Sequence, residues 1–240
     1  MLLIQYTLIY ASVLIFVAMG GMFSERSGVI NLGLEGIMVM GALGGAFVLY
    51  SMPVGTPALV IILLTILASV LFGMLYSLFL AVAAINFKAD QTLVGTAMNM
   101  LATAAAVVIV KAFNNARSDG TNPSAILDYI ANRKVFLIGD FNIYMILTVI
   151  LVAAAYVILK KTRFGLRLMA CGEHPQAADS LGINVYKMRY AGVLISGLCG
   201  GIGGIIYISA ANSQWDFMYG VAGAGFLALA VMIFGQWNPL

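Results

Sequence analysis

Glu35 is an acidic residue flanked by long apolar runs, and it shares the segment SERSGVINLGLEG (24–36) with Asn31. A carboxylate in an apolar region is a site hypothesis by default, because charge is expensive at membrane depth. Two chemistries are open for this segment. Asn31 can cap a helix start, with Glu35 in the first turn where the helix dipole favours negative charge. Alternatively, the segment is a broken helix whose open backbone and polar groups line a solute pathway. A second polar group lies in DQTLVGTAMNMLAT (90–103). Thr92, Thr96, Asn99 and Thr103 recur at helical spacing and share one face. Such a stripe either bonds to neighbouring helices or faces a wet cavity. A neutral lining of Asn, Thr and Gln91 suits a polar uncharged solute better than an ion. The candidate pathway residues are therefore Asn31, Glu35, Thr92, Thr96 and Asn99.

Other chemistries lack their residues. No Gly is followed by Lys anywhere in the chain, so there is no GxxxxGK[ST] phosphate loop. No Ser-His-Asp set, HExxH motif or paired carboxylates stand out. His174 is the only histidine and has no second ligand type nearby; Cys171 and Cys199 show neither metal nor redox spacing. No catalytic residue, bound cofactor, metal or nucleic-acid partner is expected.

The elements that position these residues follow from hydropathy. Charged residues are 9% of the chain against about 25% in soluble domains, and the mean hydropathy is +1.03. Residues 1–23, 36–87, 91–110, 141–159, 190–215 and 217–240 contain no Asp, Glu, Lys or Arg. Apolar runs of about 20 residues predict membrane-spanning helices, which satisfy their own backbone hydrogen bonds in lipid. Seven segments are expected, near 2–23, 35–51, 58–86, 91–111, 141–160, 190–210 and 220–236. The fold class is an all-α, polytopic transmembrane bundle with interrupted helices, forming a single domain in the lipid bilayer. The first segment has no basic n-region and is read as a retained span rather than a signal peptide. Gly41/Gly45, Gly197/Gly201 and Gly200/Gly204 have the small-xxx-small spacing that lets helices approach closely. They predict either packing within a compact bundle or a close dimer seam.

The remaining polar segment is the loop 160–189, KKTRFGLRLMACGEHPQAADSLGINVYKMR. Placing it inside puts Arg26, Lys88, Lys160, Lys161, Arg163, Arg167, Lys187 and Arg189 on the cytoplasmic side. Lys111, Arg117, Arg133 and Lys134 fall opposite, together with Asp119, Asp128, Asp140 and Asp216. The outer segment 112–140 has room for a short surface helix. Within the inner loop, EHPQAADSLG predicts a short helix with Pro175 at its start and Gly182 just past its end. Ala177, Ala178 and Leu181 can form a small apolar patch. That patch suits a partner's groove, or else rests on lipid headgroups.

KKTRFGLRLMACGEHPQAADSLGINVYKMRYAGVLISGLCGGIGG resembles the permeases of bacterial ATP-binding-cassette (ABC) importers for branched-chain amino acids, monosaccharides and nucleosides. In that family a loop of the form TRxG…A.G…AA…GIN, followed by a Ser/Gly-rich helix, contacts the cytoplasmic ATPase subunit. The matching residues are Thr162, Arg163, Gly165, Ala170, Gly172, Ala177, Ala178, Gly182, Ile183 and Asn184. The resemblance implies a coupling surface of Gly172, Glu173, His174, Pro175, Ala177, Ala178, Leu181, Gly182 and Ile183. Ile30-Asn31-Leu32-Gly33, where the sugar permeases have Ile-Asp-Leu-Ser, is similar to the purine-nucleoside branch. The implied protein is a multi-pass subunit of the bacterial cell membrane, without enzymatic activity. Its partners would be a cytoplasmic ABC ATPase that uses ATP, a second permease subunit and an extracytoplasmic solute-binding lipoprotein. The implied solute is a nucleoside, with a sugar second. Family members continue through two or three further helices beyond FGQWNPL, so a truncated C-terminus is expected. A self-contained secondary transporter is the alternative, with Glu35 as its one candidate coupling carboxylate; a scaffold subunit is the third.

Overall fold

The computed structural model describes residues 2–53, 55–118, 120, 123–129, 136–138, 141–210, 212 and 214–239. The long apolar runs form long helices: α1 (Leu2–Arg26), α2 (Leu34–Ser51), α3 (Ala58–Ala81), α4 (Gln91–Arg117), α5 (Ile143–Lys161) and α8 (Val185–Ser209). These six are long and apolar enough to cross a membrane. Helix α3 runs on into a π-turn at Val82–Asn86. Side-chain caps fix several starts. Asp90 accepts from the N–H groups of Thr92 and Leu93, Asn142 from Tyr144, and Asn184 from Lys187.

The segment expected near 220–236 is shorter than the others. It consists of a 3-10 turn at Phe217–Tyr219 and the eleven-residue helix α9 (Ala224–Phe234). At 1.5 Å per residue α9 reaches only about half-way through a 30 Å hydrocarbon layer. The chain before it turns through left-handed backbone at Gly220 (φ 55°), Ala222 (φ 51°) and Gly223 (φ 82°). The interruption is therefore built by the GVAGAG stretch (220–225), inside a run that hydropathy alone reads as continuous.

Helix α8 is central and packs against α1, α2 and α3. A β-carbon on Gly41 would collide with the Cα of Gly201, so the α2 and α8 backbones touch there. Gly197, Gly200, Gly201 and Gly204 are all buried. The glycine pattern serves packing within the chain. By contrast α3 and α5 present exposed apolar side chains, among them Leu63, Leu67, Leu75, Val149 and Ile150.

At the end away from the 160–189 segment, β1 (Ile126–Asp128) pairs antiparallel with β4 (Gln214–Asp216), with Leu127 opposite Trp215. Strands β2 (Leu137–Ile138) and β3 (Phe141–Asn142) form a second small ladder. Helix α4 takes up the start of the 112–140 segment and these strands lie in its described remainder; the surface helix expected there falls in part on residues 130–135, outside the described residues. Asn114 holds β1 in place by donating to the carbonyls of Ser124 and Ile126 (3.0 and 2.8 Å). Asp119, Asn122, Arg133, Lys134 and Asp140 lie outside the described residues.

The 160–189 segment is more helical than its sequence suggested. An amphipathic helix α6 (Arg163–Glu173) precedes the expected short one, α7 (Pro175–Ser180).

Candidate functional site

The polar residues of the sequence converge on the interrupted start of α2. Asn31 is fully buried there. Its amide donates to Ser196 Oγ on α8 (2.8 Å), and its oxygen accepts from the N–H of Gly33 (3.1 Å). Helix α2 begins at Leu34 with Gly33 as its flanking residue, so Asn31 makes a turn ahead of the helix rather than the cap itself.

Asn99 bridges the break. Its oxygen accepts from the N–H of Gly36 and its amide donates to the carbonyl of Leu32, both at 2.8 Å. The two backbone groups flank the point where α2 begins. One side chain on α4 therefore substitutes for helical bonds that the broken segment cannot make. Tyr76 of α3 ties α4 to the same core by donating to the carbonyl of Met98 (2.6 Å).

Glu35 crosses to α9. Its carboxylate accepts from the N–H of Gly223 (2.8 Å) and the N–H of Gly225 (2.7 Å). Those amides form the N-terminal end of the half-length helix, where the dipole favours an anion. Glu35 also stands in the first turn of α2. One carboxylate thus lies against the starts of both interrupted helices.

Glu35 and Asn99 line a cavity of about 820 Å³. Glu35, Thr96, Asn99 and Thr103 supply its polar surface, while Met100, Val107, Val108 and Phe226 supply apolar walls. Thr96 and Thr103 bond back to α4 carbonyls (Thr96 to Thr92, 3.0 Å; Thr103 to Asn99, 3.2 Å). The cavity is open along one side, where Met100 is 78% exposed and Val108 is 65% exposed. Of the five predicted pathway residues, Glu35, Thr96 and Asn99 line it. Asn31 does not, being held in the α2–α8 contact. Thr92 does not either; it lies in the first turn of α4 beside the Asp90 cap. The polar stripe both binds a neighbouring helix and faces the cavity. Phe226 and the start of α9 lie within the segment expected near 220–236, but hydropathy assigned them no part in the site. The glycine cluster Gly220, Gly223 and Gly225 was the signal that could have found them.

At the other candidate surface, α7 ends as its sequence demands. Gly182 adopts φ 78°, its N–H donates to the Asp179 carbonyl (2.8 Å), and the N–H of Ile183 donates to Ala178 (3.1 Å). This is the paired closure of a glycine-terminated helix. Among the coupling candidates, Glu173, His174, Ala177, Leu181 and Gly182 are exposed, and Pro175 and Ile183 are half-buried. Ala178 is buried, at 2% exposure, whereas Leu181 is 80% exposed. The expected apolar patch is therefore Ala177 with Leu181, and Ala178 faces the protein. Gly172 also faces inward: a β-carbon there would collide with the Arg26 carbonyl. Cys171 beside it is buried, and that burial pushes its thiol pKa up, against the opposing charge of Arg189.

Residues 3–240 match the family profile described as branched-chain amino acid transport system, permease component. The guanosine ABC transporter permease protein NupQ of Bacillus subtilis is 44% identical over an alignment covering 100% of this chain and 76% of that protein. The nucleoside ABC transporter permease protein NupC of Lactococcus lactis is 40% identical, covering 100% and 77%. The putative glucose ABC transporter permease protein TsgC13 of Haloferax volcanii is 30% identical, covering 99% and 71%. No solved structure gives a significant match. With six helices able to cross a membrane and this match along nearly its whole length, the chain belongs to the family of branched-chain amino acid transport system permease components.

Proposed function

We propose that this chain is the transmembrane permease subunit of an ABC importer for nucleosides in the bacterial cell membrane. The carrying observation is the cavity at the meeting point of the two interrupted helices. A nucleoside has a flat base and a hydroxyl-rich sugar. The Phe226 ring and the aliphatic walls suit the first; Thr96, Asn99 and Thr103 suit the second. A volume of about 820 Å³ lies within the range of about 300–1,000 Å³ for small-molecule sites. The names of the two relatives above 40% identity or at it, a guanosine and a nucleoside permease, support the same solute class.

Transport would proceed by alternating access. A separate ATPase binds and hydrolyses ATP, engages the surface around α7, and biases the bundle between two states by binding them differently. A second permease subunit would close the open side of the cavity, and an extracytoplasmic binding protein would deliver solute. In the secondary-transporter reading Glu35 must exchange protons with the pathway. Its engagement by two backbone N–H groups supports a structural role instead.

The test is uptake of labelled guanosine into cells expressing the complete transporter, in competition with unlabelled nucleosides, sugars and amino acids. Competition by nucleosides alone is expected. Competition by sugars or branched-chain amino acids alone overturns the nucleoside assignment. Uptake that persists without the ATPase overturns the ABC assignment.

A further inference from the structure

A second, smaller pocket lies at the α6–α7 end, between the exit of α3 and the start of α8. It has a volume of about 200 Å³ and is lined by Ala84, Ile85, Lys88, Val185, Tyr186 and Arg189. Three features coincide there. Ala84 and Ile85 belong to the π-turn Val82–Asn86; such turns interrupt regular helices and recur at functional sites. Lys88 holds a left-handed backbone, φ 53°, which non-glycine residues rarely adopt. Among the described residues, neither Lys88 nor Arg189 has a carboxylate partner. Two cations without a carboxylate partner, both lining one pocket, call for an anion.

The surroundings identify its source. Leu75 and Phe79 stand four residues apart on the outer face of α3, both 61% exposed, and Phe87 beyond the π-turn is 77% exposed. This apolar strip ends beside Lys88. Across the pocket, Tyr186 is 58% exposed at the beginning of α8. An apolar strip that ends at an aromatic and basic rim matches the boundary between acyl chains and headgroups. Tyr190 fixes the rim by donating to Asn86 Oδ1 (3.1 Å).

We propose that this pocket binds the phosphate headgroup of an anionic membrane phospholipid, with Lys88 and Arg189 as its counter-charges and the α3 strip holding its acyl chains. Basic pockets between membrane helices recognise such headgroups. The site lies apart from the large cavity and is independent of which solute is carried.

The intact transporter, purified from membranes and delipidated in mild detergent, should be offered mixed micelles of phosphatidylcholine with or without phosphatidylglycerol. Retained lipid is then measured by native mass spectrometry. Wild type should retain phosphatidylglycerol in preference to phosphatidylcholine. Lys88→Glu, a change at an exposed residue, should lower that retention about tenfold. Arg189→Lys keeps the charge and should lower it less than Arg189→Gln. Inorganic phosphate alone should not displace the lipid, because it lacks the acyl contacts. Equal phosphatidylglycerol retention by wild type and Lys88→Glu overturns the proposal. So does full displacement by inorganic phosphate, which marks a small-anion site. Loss of the ATPase with unchanged lipid retention also overturns it, and assigns the pocket to an acidic side chain of that subunit.

Discussion

Glu35 accepts the backbone N–H of Gly225 at 2.7 Å, linking the start of α2 to the start of α9 across 190 positions of sequence. With the companion bond from Gly223, one carboxylate orders a half-length helix that has little else to define where it begins. The lead-in passes through left-handed backbone at Ala222, a conformation that costs about 1–2 kcal/mol for an L-residue. The charge at the helix end offsets that cost.

Glu35→Gln keeps one acceptor and loses the charge. It should destabilise the purified protein by about 1–2 kcal/mol, within the range for an anion at a partly buried helix N-terminus and for hydrogen bonds to charged groups. Glu35→Leu, which removes both acceptors, should cost more. Thermal unfolding in detergent measures both. Uptake should fall in step with the loss of α9 order, and it should show no coupling to an imposed proton gradient in wild type. A wild-type proton dependence that disappears in Glu35→Gln would restore the carboxylate to a transport role.

Asn99 satisfies two backbone groups at once, so its substitutions separate into a graded series. Asn99→Asp retains the acceptor for the Gly36 N–H but cannot donate to the Leu32 carbonyl. Asn99→Leu leaves both unsatisfied at a buried site, at about 1–3 kcal/mol for each group. Unfolding temperatures should rank wild type above Asp and Asp above Leu. Uptake should follow the same order. A fully stable Asn99→Leu protein would show that the α2 break is held by other contacts.

The transmembrane architecture was legible because length and hydropathy report directly on helices that must satisfy their own backbone in lipid. Asn99 was legible as a polar residue on a definite helix face. Its partners were not, since Leu32 and Gly36 lie on a separate element, and only packing brings them under α4. The same limit explains α9. Hydropathy counts apolar residues, but the left-handed turn at Gly220–Gly223 is a backbone property. Ala177 and Ala178 differ for a related reason: adjacent residues on a short helix point in different directions, and the fold decides which one is covered.

Asp90 provides a pH-dependent prediction outside the membrane spans. The N–H groups of Leu93 and Thr92 hold its carboxyl below the ordinary value of 3.8. A carboxyl depressed in the folded state stabilises above its unfolded pKa, and the benefit disappears as pH falls through the lower folded value. Asp90→Asn is also a good cap but does not titrate. The stability difference between wild type and Asp90→Asn should therefore be constant at neutral pH and move against wild type as pH drops below about 4. Parallel melts across acid pH measure it, and parallel curves throughout would dismiss the cap's titration as a contributor.

Ala177 and Ala178 give the sharpest separation between fold and partner. Ala178 is buried within the chain, so Ala178→Trp overpacks α7 against its own protein, at about 1–3 kcal/mol or more. That variant should insert poorly or melt early. Ala177 and Leu181 are exposed, so Ala177→Trp and Leu181→Asp should fold and insert at wild-type levels. If α7 seats in an ATPase groove, both should lose the ATPase during purification. A contact loss of about 1.4 kcal/mol already weakens binding tenfold. Expression, melting temperature and co-purified ATPase, measured on the same three variants, decide the matter. Retained ATPase and normal uptake in both Ala177→Trp and Leu181→Asp would remove α7 from the coupling surface and move attention to the exposed residues of α6.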